Sequence, residues 1–390
     1  MIRVNLLSSL ATSRVAVYVF GVLTAILVGS ISNFVFKPTS GSRSSHPDEL
    51  LQTTVYHYPS GYPLPSKEHV INHLEYTTSI NYRFKMPNWV SEKLTSSSVA
   101  DKSGNRGNSD FHPDDSVPES FRAGNNDYLG TGWSRGHLAR SENHRSSQQV
   151  TDETFLLSSN IVPQDLSMNG CDWLRLENFA LNLAQPSDST VYIVSGPLWL
   201  PEQVNRKLMT TYEVIGKKNM PVPTHLFKIL MIDDARGKAT AAFIMPNRPI
   251  VDNKPLTAFK TSVEAVELAG GLDLSGMRAE TDLCSIADCE QMQINKRTDA
   301  WRMYGKIQLA TDLDGIRALV METMDKGYFN DDNFLLIKLV KERVTKLAQS
   351  NQSIEDALFA GSPSYQATLS AGLQILQVRD QAWKAKYPRK

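Results

Sequence analysis

The chain has 390 residues, 41% of them apolar, which excludes a disordered polymer and allows one large folded domain or two ordinary ones. Lys+Arg and Asp+Glu both number 41, so net charge does not steer the molecule toward a polyanion, and any nucleic-acid surface must be a local patch. Three cysteines, Cys171, Cys284 and Cys289, exclude a disulfide framework and a four-cysteine zinc site; they are expected as packing residues, with a local Cys284–Cys289 bridge as the alternative.

In chain order, residues 1–14 read as a targeting segment. Arg3 and Arg14 stand among Ser and Thr, and no acidic residue precedes Asp48, as in a mitochondrial presequence. Val15 to Phe36 is a run of 22 uncharged residues, enough to cross a ~30 Å hydrocarbon layer as a helix, so 15–37 is expected to be a membrane anchor. The competing readings are a cleaved secretory signal, for which no small-x-small site is evident, and a signal anchor of the secretory pathway. Residues 38–67, rich in Ser, Pro, Gly and Tyr, read as a linker, and folded structure is expected from about His69.

Short apolar runs bounded by turn residues then recur: Thr154–Leu157, Thr190–Pro197, Leu226–Met231 and Ala241–Pro246. They predict strands of a mixed or antiparallel sheet, and Trp173–Ala184 predicts a helix with apolar Leu174, Leu176, Phe179, Ala180 and Leu183 at roughly helical spacing. After Gly270-Gly271 the composition changes, and Ile316–Met324 and Asn333–Leu347 predict amphipathic helices of a small helical C-terminal domain, 271–390, ending in a basic tail. Lys338, Lys341, Arg343 and Lys346 on the second helix read as a solvated face, with a DNA-facing role as the alternative.

The chemistry concentrates between these elements. Ser134-Arg135-Gly136-His137 sets an imidazole beside a guanidinium, and Arg140 follows. Ser159-Asn160-Ile161-Val162-Pro163-Gln164 comes next, then Asn169, Trp173, Arg175 and Glu177 in the spacing N-x3-W-x-R-x-E. A histidine alone is usually structural, Asn169 alone a helix cap, Glu177 alone a solvated position and Trp173 alone core. Their joint occurrence makes those separate accounts untenable.

Together these segments resemble the DNA/RNA non-specific endonucleases of the ββα-metal type. The flanks Asn126–Gly130 and Val194–Leu198 resemble the endonuclease G branch, and Ser134, where most members have Asp, points to its exo/endonuclease G members. The resemblance covers roughly 68–270, which it implies is the nuclease domain, and continues weakly to about 350. It implies an α+β fold: a ββα-metal core on a mixed/antiparallel sheet, here with an N-terminal membrane helix and a small helical C-terminal domain. It implies a Mg²⁺- or Mn²⁺-dependent phosphodiesterase with His137 as general base, Asn169 as direct metal ligand, Glu177 holding the metal through water, and Arg106 gripping the scissile phosphate. Arg106 matches by position, 31 residues before His137, not by a local motif. Arg135 and Arg140 are expected to position phosphates or orient the loop, and Asn160, Gln164 and Trp173 to hold the scaffold.

The partners so implied are DNA, with RNA as a second substrate, a membrane through 15–37, and a second copy in a homodimer. The expected activity is 5′–3′ exonuclease with endonuclease activity in mitochondrial DNA processing, on the inner membrane with the nuclease domain in the intermembrane space. The alternatives are an endonuclease G-type or secretory-pathway endonuclease and, in another class, an inactive nucleic-acid-binding membrane scaffold. Retention of His137, Asn169 and Glu177 speaks against the last.

Overall fold

Apolar alternation in the middle of the chain builds a sheet that is covered on both faces. The computed structural model describes residues 57–290, 295–348 and 352–386, so the expected targeting segment 1–14 and anchor 15–37 lie outside the described residues. Its eight-stranded sheet runs β1 (Val70–Asn72), β2 (Tyr76–Asn81), β3 (Met86–Thr95), β6 (Thr190–Leu198), β7 (His225–Asp234), β8 (Gly237–Pro246) and β9 (Lys260–Thr261), with β10 (Thr281–Asp282) also paired to β8. Neighbours are antiparallel except β10, which runs parallel to β8.

Side chains alternate across a strand. Along β7, Leu226, Leu230 and Ile232 therefore join one core while Phe227, Ile229 and Met231 join another. The first core is closed by a ββα unit: the antiparallel pair β4 (Ser134–His137) and β5 (Ile161–Gln164), helix α1 (Leu166–Met168), a π-helical turn Asn169–Trp173, and helix α2 (Leu174–Ala184). Leu138, Trp173, Leu176 and Ala180 fill the space between this unit and the sheet. The opposite face is closed by helix α3 (Val263–Gly270) with Tyr58 and Met277.

A helical layer follows: α4 (Lys296–Leu309), α5 (Leu313–Asp325), α6 (Phe334–Leu347), α7 (Ile354–Phe359) and α8 (Pro363–Lys386). Asn295, Asp312 and Ser353 each accept a first-turn backbone N–H and so fix where α4, α5 and α7 begin. Ile307, Ile316, Val320, Ile337, Val340 and Leu369 form this layer's own core.

The strands predicted at 190–197, 226–231 and 241–246 are β6, β7 and β8, and the two predicted C-terminal helices lie in α5 and α6. Thr154–Leu157 is not a strand: it is a turn after the short helix Gln148–Glu153, with only Leu156 bridged to His112. The segment from His57 to Lys67 is no free linker, because Tyr58 is buried in the sheet core and Ser91 Oγ donates to the His57 carbonyl. Residues 271–290 do not open the helical layer either. They supply β10 and bury Leu274, Met277 and Leu283 against the sheet. Cys284 and Cys289 form a disulfide across a tight turn that brings their Cα atoms to 5.3 Å, correcting the packing expectation, whereas Cys171 is free and buried. Among the described residues no helix is long and apolar enough to cross a membrane.

Candidate active site

The hairpin that carries His137 closes because residue 136 is glycine. A Cβ there would lie 2.0 Å from Gln164 Cδ, so only hydrogen lets Gln164 fold over β4. The register sets Ser134 opposite Gln164 and His137 opposite Ile161. Asn160 ties down the chain beyond: its Oδ1 accepts from Ala139 N at 2.7 Å, and its Nδ2 donates to the Ala139 carbonyl at 2.7 Å and the Thr154 carbonyl at 2.8 Å. Trp173 Nε1 donates to the His137 carbonyl at 3.2 Å, joining hairpin to helix.

His137 is 9% exposed, its ring set between Phe111 and Phe155 at 5.4 and 4.8 Å. Its Nε2 is buried without a hydrogen-bond partner among the described residues. Burial first, then the charges of Arg106, Arg140 and Arg135, push its pKa down to about 3. The imidazole is therefore neutral at ordinary pH and can accept a proton.

Asn169 opens the π turn, where its Nδ2 donates to Ser134 Oγ at 3.1 Å. That hydroxyl in turn donates to the Gln164 carbonyl at 2.8 Å. Ser134 thus bridges the hairpin and the asparagine, and Asn169 Oδ1 takes no hydrogen bond among the described residues. Glu177, in α2, is 6% exposed, with Oε2 3.6 Å from Arg140 Nε. Burial raises its pKa to about 7 against the opposing charges of Arg140 and Lys228.

Arg106 begins a short 3₁₀ turn, Arg106–Asn108, and its guanidinium lies 5.9 Å from the Phe155 ring centre. Its charge acts on both His137 and Glu177. Arg135 stacks on Phe111 at 4.2 Å and donates to Asn125 Oδ1. Arg140, besides its approach to Glu177, donates to Asn178 Oδ1 at 2.7 Å. The fold thus gathers three arginines around one neutral ring, with Glu177 and Asn169 on the same ββα unit.

Four groups to which sequence reasoning gave no role, Lys228, Glu92, His144 and Glu75, support the site. Lys228 is fully buried under it, donating to the Leu138 carbonyl at 3.0 Å and to Ser195 Oγ at 2.6 Å, with Nζ 3.9 Å from Glu92. Glu92 accepts from His144 Nε2 at 2.7 Å, and His144 Nδ1 meets Glu75 at 3.0 Å. A lysine amid Leu226-Phe227-Ile229-Leu230 was the visible signal, because an ammonium on a core strand persists only with partners. No cluster of three His, Cys, Asp or Glu that could enclose a metal occurs among the described residues. One free amide oxygen, a buried carboxylate whose proton affinity is raised, and an unpartnered ring nitrogen instead suit a hard cation that keeps most of its water.

The family model described as DNA/RNA non-specific endonuclease matches residues 55–277. The mitochondrial nuclease EXOG of Danio rerio is 35% identical over 276 residues, covering 69% of this chain and 79% of that protein. The mitochondrial endonuclease G of Bos taurus is 39% identical over 213 residues, 54% of this chain and 70% of that protein. Among solved structures, a complex of EndoG with its inhibitor EndoGI aligns with TM-score 0.53 and 36% identity, covering 56% of this chain and 90% of that one.

Proposed function

Because the chain belongs to the DNA/RNA non-specific endonuclease family, and so is a nuclease that hydrolyses nucleic-acid phosphodiesters, we propose that His137 is its general base and that Asn169 and Glu177 hold its divalent cation. The observation that carries this reading is the buried His137 ring, its Nε2 without a hydrogen-bond partner among the described residues, beside the charges of Arg106, Arg140 and Arg135. Nε2 accepts a proton from the attacking water. The three guanidiniums depress the ring's basicity in the free protein, and a phosphodiester pairing with them offsets their charge, so the base strengthens as substrate arrives. Arg106 grips the scissile phosphate and stabilises its developing charge. Asn169 Oδ1 would hold Mg²⁺ or Mn²⁺ directly and Glu177 through water. A bound divalent cation neutralises charge gathering on the phosphate.

The finer reading is a 5′–3′ exonuclease on DNA with endonuclease activity. It is supported by Ser134 and by the match to the EXOG relative, 276 residues against 213 for endonuclease G. The relatives' names and the acid-poor, Arg-containing residues 1–14 support a mitochondrial address. Anchoring to the inner membrane through 15–37, a nuclease domain in the intermembrane space and a homodimer complete the proposal. The test sets the purified protein against 5′-ended and circular DNA with Mg²⁺ or EDTA, beside His137→Ala. The variant is expected to lose about 100-fold or more in rate without losing thermal stability. Equal rates for the two proteins end the general-base assignment, and equal rates on both DNAs end the exonuclease preference. A reporter carrying residues 1–45 that enters the secretory pathway overturns the localisation.

A further inference from the structure

The turn that presents Asn169 is held from two sides by parts of the chain far apart in sequence. On the hairpin side Ser134 Oγ takes the Asn169 amide. On the other side lies α4, from the helical layer. Asp172, within the π turn and fully buried, accepts both guanidinium nitrogens of Arg302, at 2.8 and 3.0 Å, and one of Arg175 at 3.0 Å. Arg302 also donates to the Ile250 carbonyl. Trp301 packs against the backbone beside Asn169, since a Cβ on Gly170 would be 2.3 Å from its Cε2. Gln308 Nε2 donates to Asp165 Oδ2 at 2.8 Å, while Asp165 Oδ1 caps α1 by accepting from Ser167 N and Met168 N. Gly305 lets α4 approach Ser167, where a Cβ would meet Oγ at 3.1 Å.

These contacts bear on the π turn Asn169–Trp173. A π turn places one residue too many in each hydrogen-bonded ring, is rare, and is found frequently at functional sites. The contacts from α4 fall on Asp165, Ser167, Gly170 and Asp172, which bracket Asn169, while Met303 and Ile307 on the same helix enter the helical layer's own core. One rigid helix therefore links that core to the backbone of the proposed metal ligand.

We infer that helix α4 is a positioning element of the cation site: Arg302 and Trp301 hold the Asn169 turn in its binding geometry, so the site is complete only with the helical layer docked. This rests on the reading of Asn169 as the direct metal ligand. Partners that orient a metal ligand change metal affinity by about 10–100-fold when removed, whereas a merely stabilising contact changes the folded fraction and leaves the affinity of the folded protein alone.

The test uses the full chain with His137→Ala, so that no turnover intervenes, and measures Mn²⁺ binding by the EPR signal of the free ion. Arg302→Met and Trp301→Ala are each expected to weaken binding about ten-fold. In the active protein the Mg²⁺ concentration for half-maximal rate should rise by the same factor, with KM for DNA at saturating Mg²⁺ unchanged. Trp301 is half-buried and its truncation spares the Asp172 ion pair, so it reads the same contact if the arginine variant folds poorly. Val340→Ala, in the helical core away from α4's contacts with the turn, is the stability control and should leave Mn²⁺ affinity intact. Binding that is lost with Asn169→Ala yet unchanged by both α4 variants, or weakened as much by Val340→Ala, overturns the inference and leaves the metal assignment standing. Binding indifferent to Asn169→Ala overturns the metal assignment and the inference with it.

Discussion

Raising the pH across the range in which His144 titrates tests the charged network under the site. His144 is 1% exposed, with Nε2 at 2.7 Å from Glu92 and Nδ1 at 3.0 Å from Glu75. Burial pushes its pKa down, but the hydrogen bonds and charges of Glu75 and Glu92 outweigh burial and hold it at about 9, against an ordinary 6.5. The folded protein therefore binds this proton more tightly than the unfolded chain. The resulting stability is fully present below pH 6.5 and is lost as pH rises through 9. A rise from 6.5 to about 9 corresponds to about 3 kcal/mol. His144→Gln keeps hydrogen-bonding capacity without the charge. Urea unfolding of both proteins at about pH 6, 8 and 10 should give a stability gap that narrows by about 3 kcal/mol as the native protein deprotonates. Stability curves that run parallel across that range refute the charged His144 and with it the account of how Glu75 and Glu92 are tolerated beneath the site.

Gly136→Ala should cost about 1–3 kcal/mol in urea unfolding and abolish cleavage, because the new Cβ occupies the space of Gln164 and reshapes the hairpin carrying Ser134 and His137; a fully active variant contradicts the close approach. Lys228→Met removes the cation that faces Glu92 at 3.9 Å and should destabilise by about 3–5 kcal/mol, with a neutral result in urea showing that the buried carboxylates find other compensation. Replacing both Cys284 and Cys289 by Ser opens a span of separation 5; chain entropy sets the loss at about 2 kcal/mol, visible as a lower thermal midpoint with the cleavage rate unchanged.

What was legible in the sequence was local. Strands β6, β7 and β8 and helix α2 announce themselves by apolar periodicity, since each sits against a core that selects one face or both. Strands β2 and β3 did not, because their buried positions include Thr77, Thr78, Ser79, Ser91 and Glu92, polar groups that hydrogen-bond inside and erase the apolar pattern. Strands β4 and β5 are four residues each, too short to display alternation. The candidate site could be read from spacing because Ser134, His137, Asn169 and Glu177 belong to one ββα unit, whose geometry follows from consecutive elements.

The sequence by itself determined which residues match the family's motifs, and so which are candidates for the chemistry, and that a sheet and amphipathic helices surround them, because periodic burial and short motifs are written along the chain. Only the tertiary structure decided that Ser134 bridges the hairpin and the asparagine, that Lys228, Glu92 and His144 form a charged layer beneath the site, and that Arg302 reaches Asp172. Each of these is a pairing between buried polar groups on different elements. The need for a partner is a property of the residue, whereas the identity of the partner is a property of the packed fold.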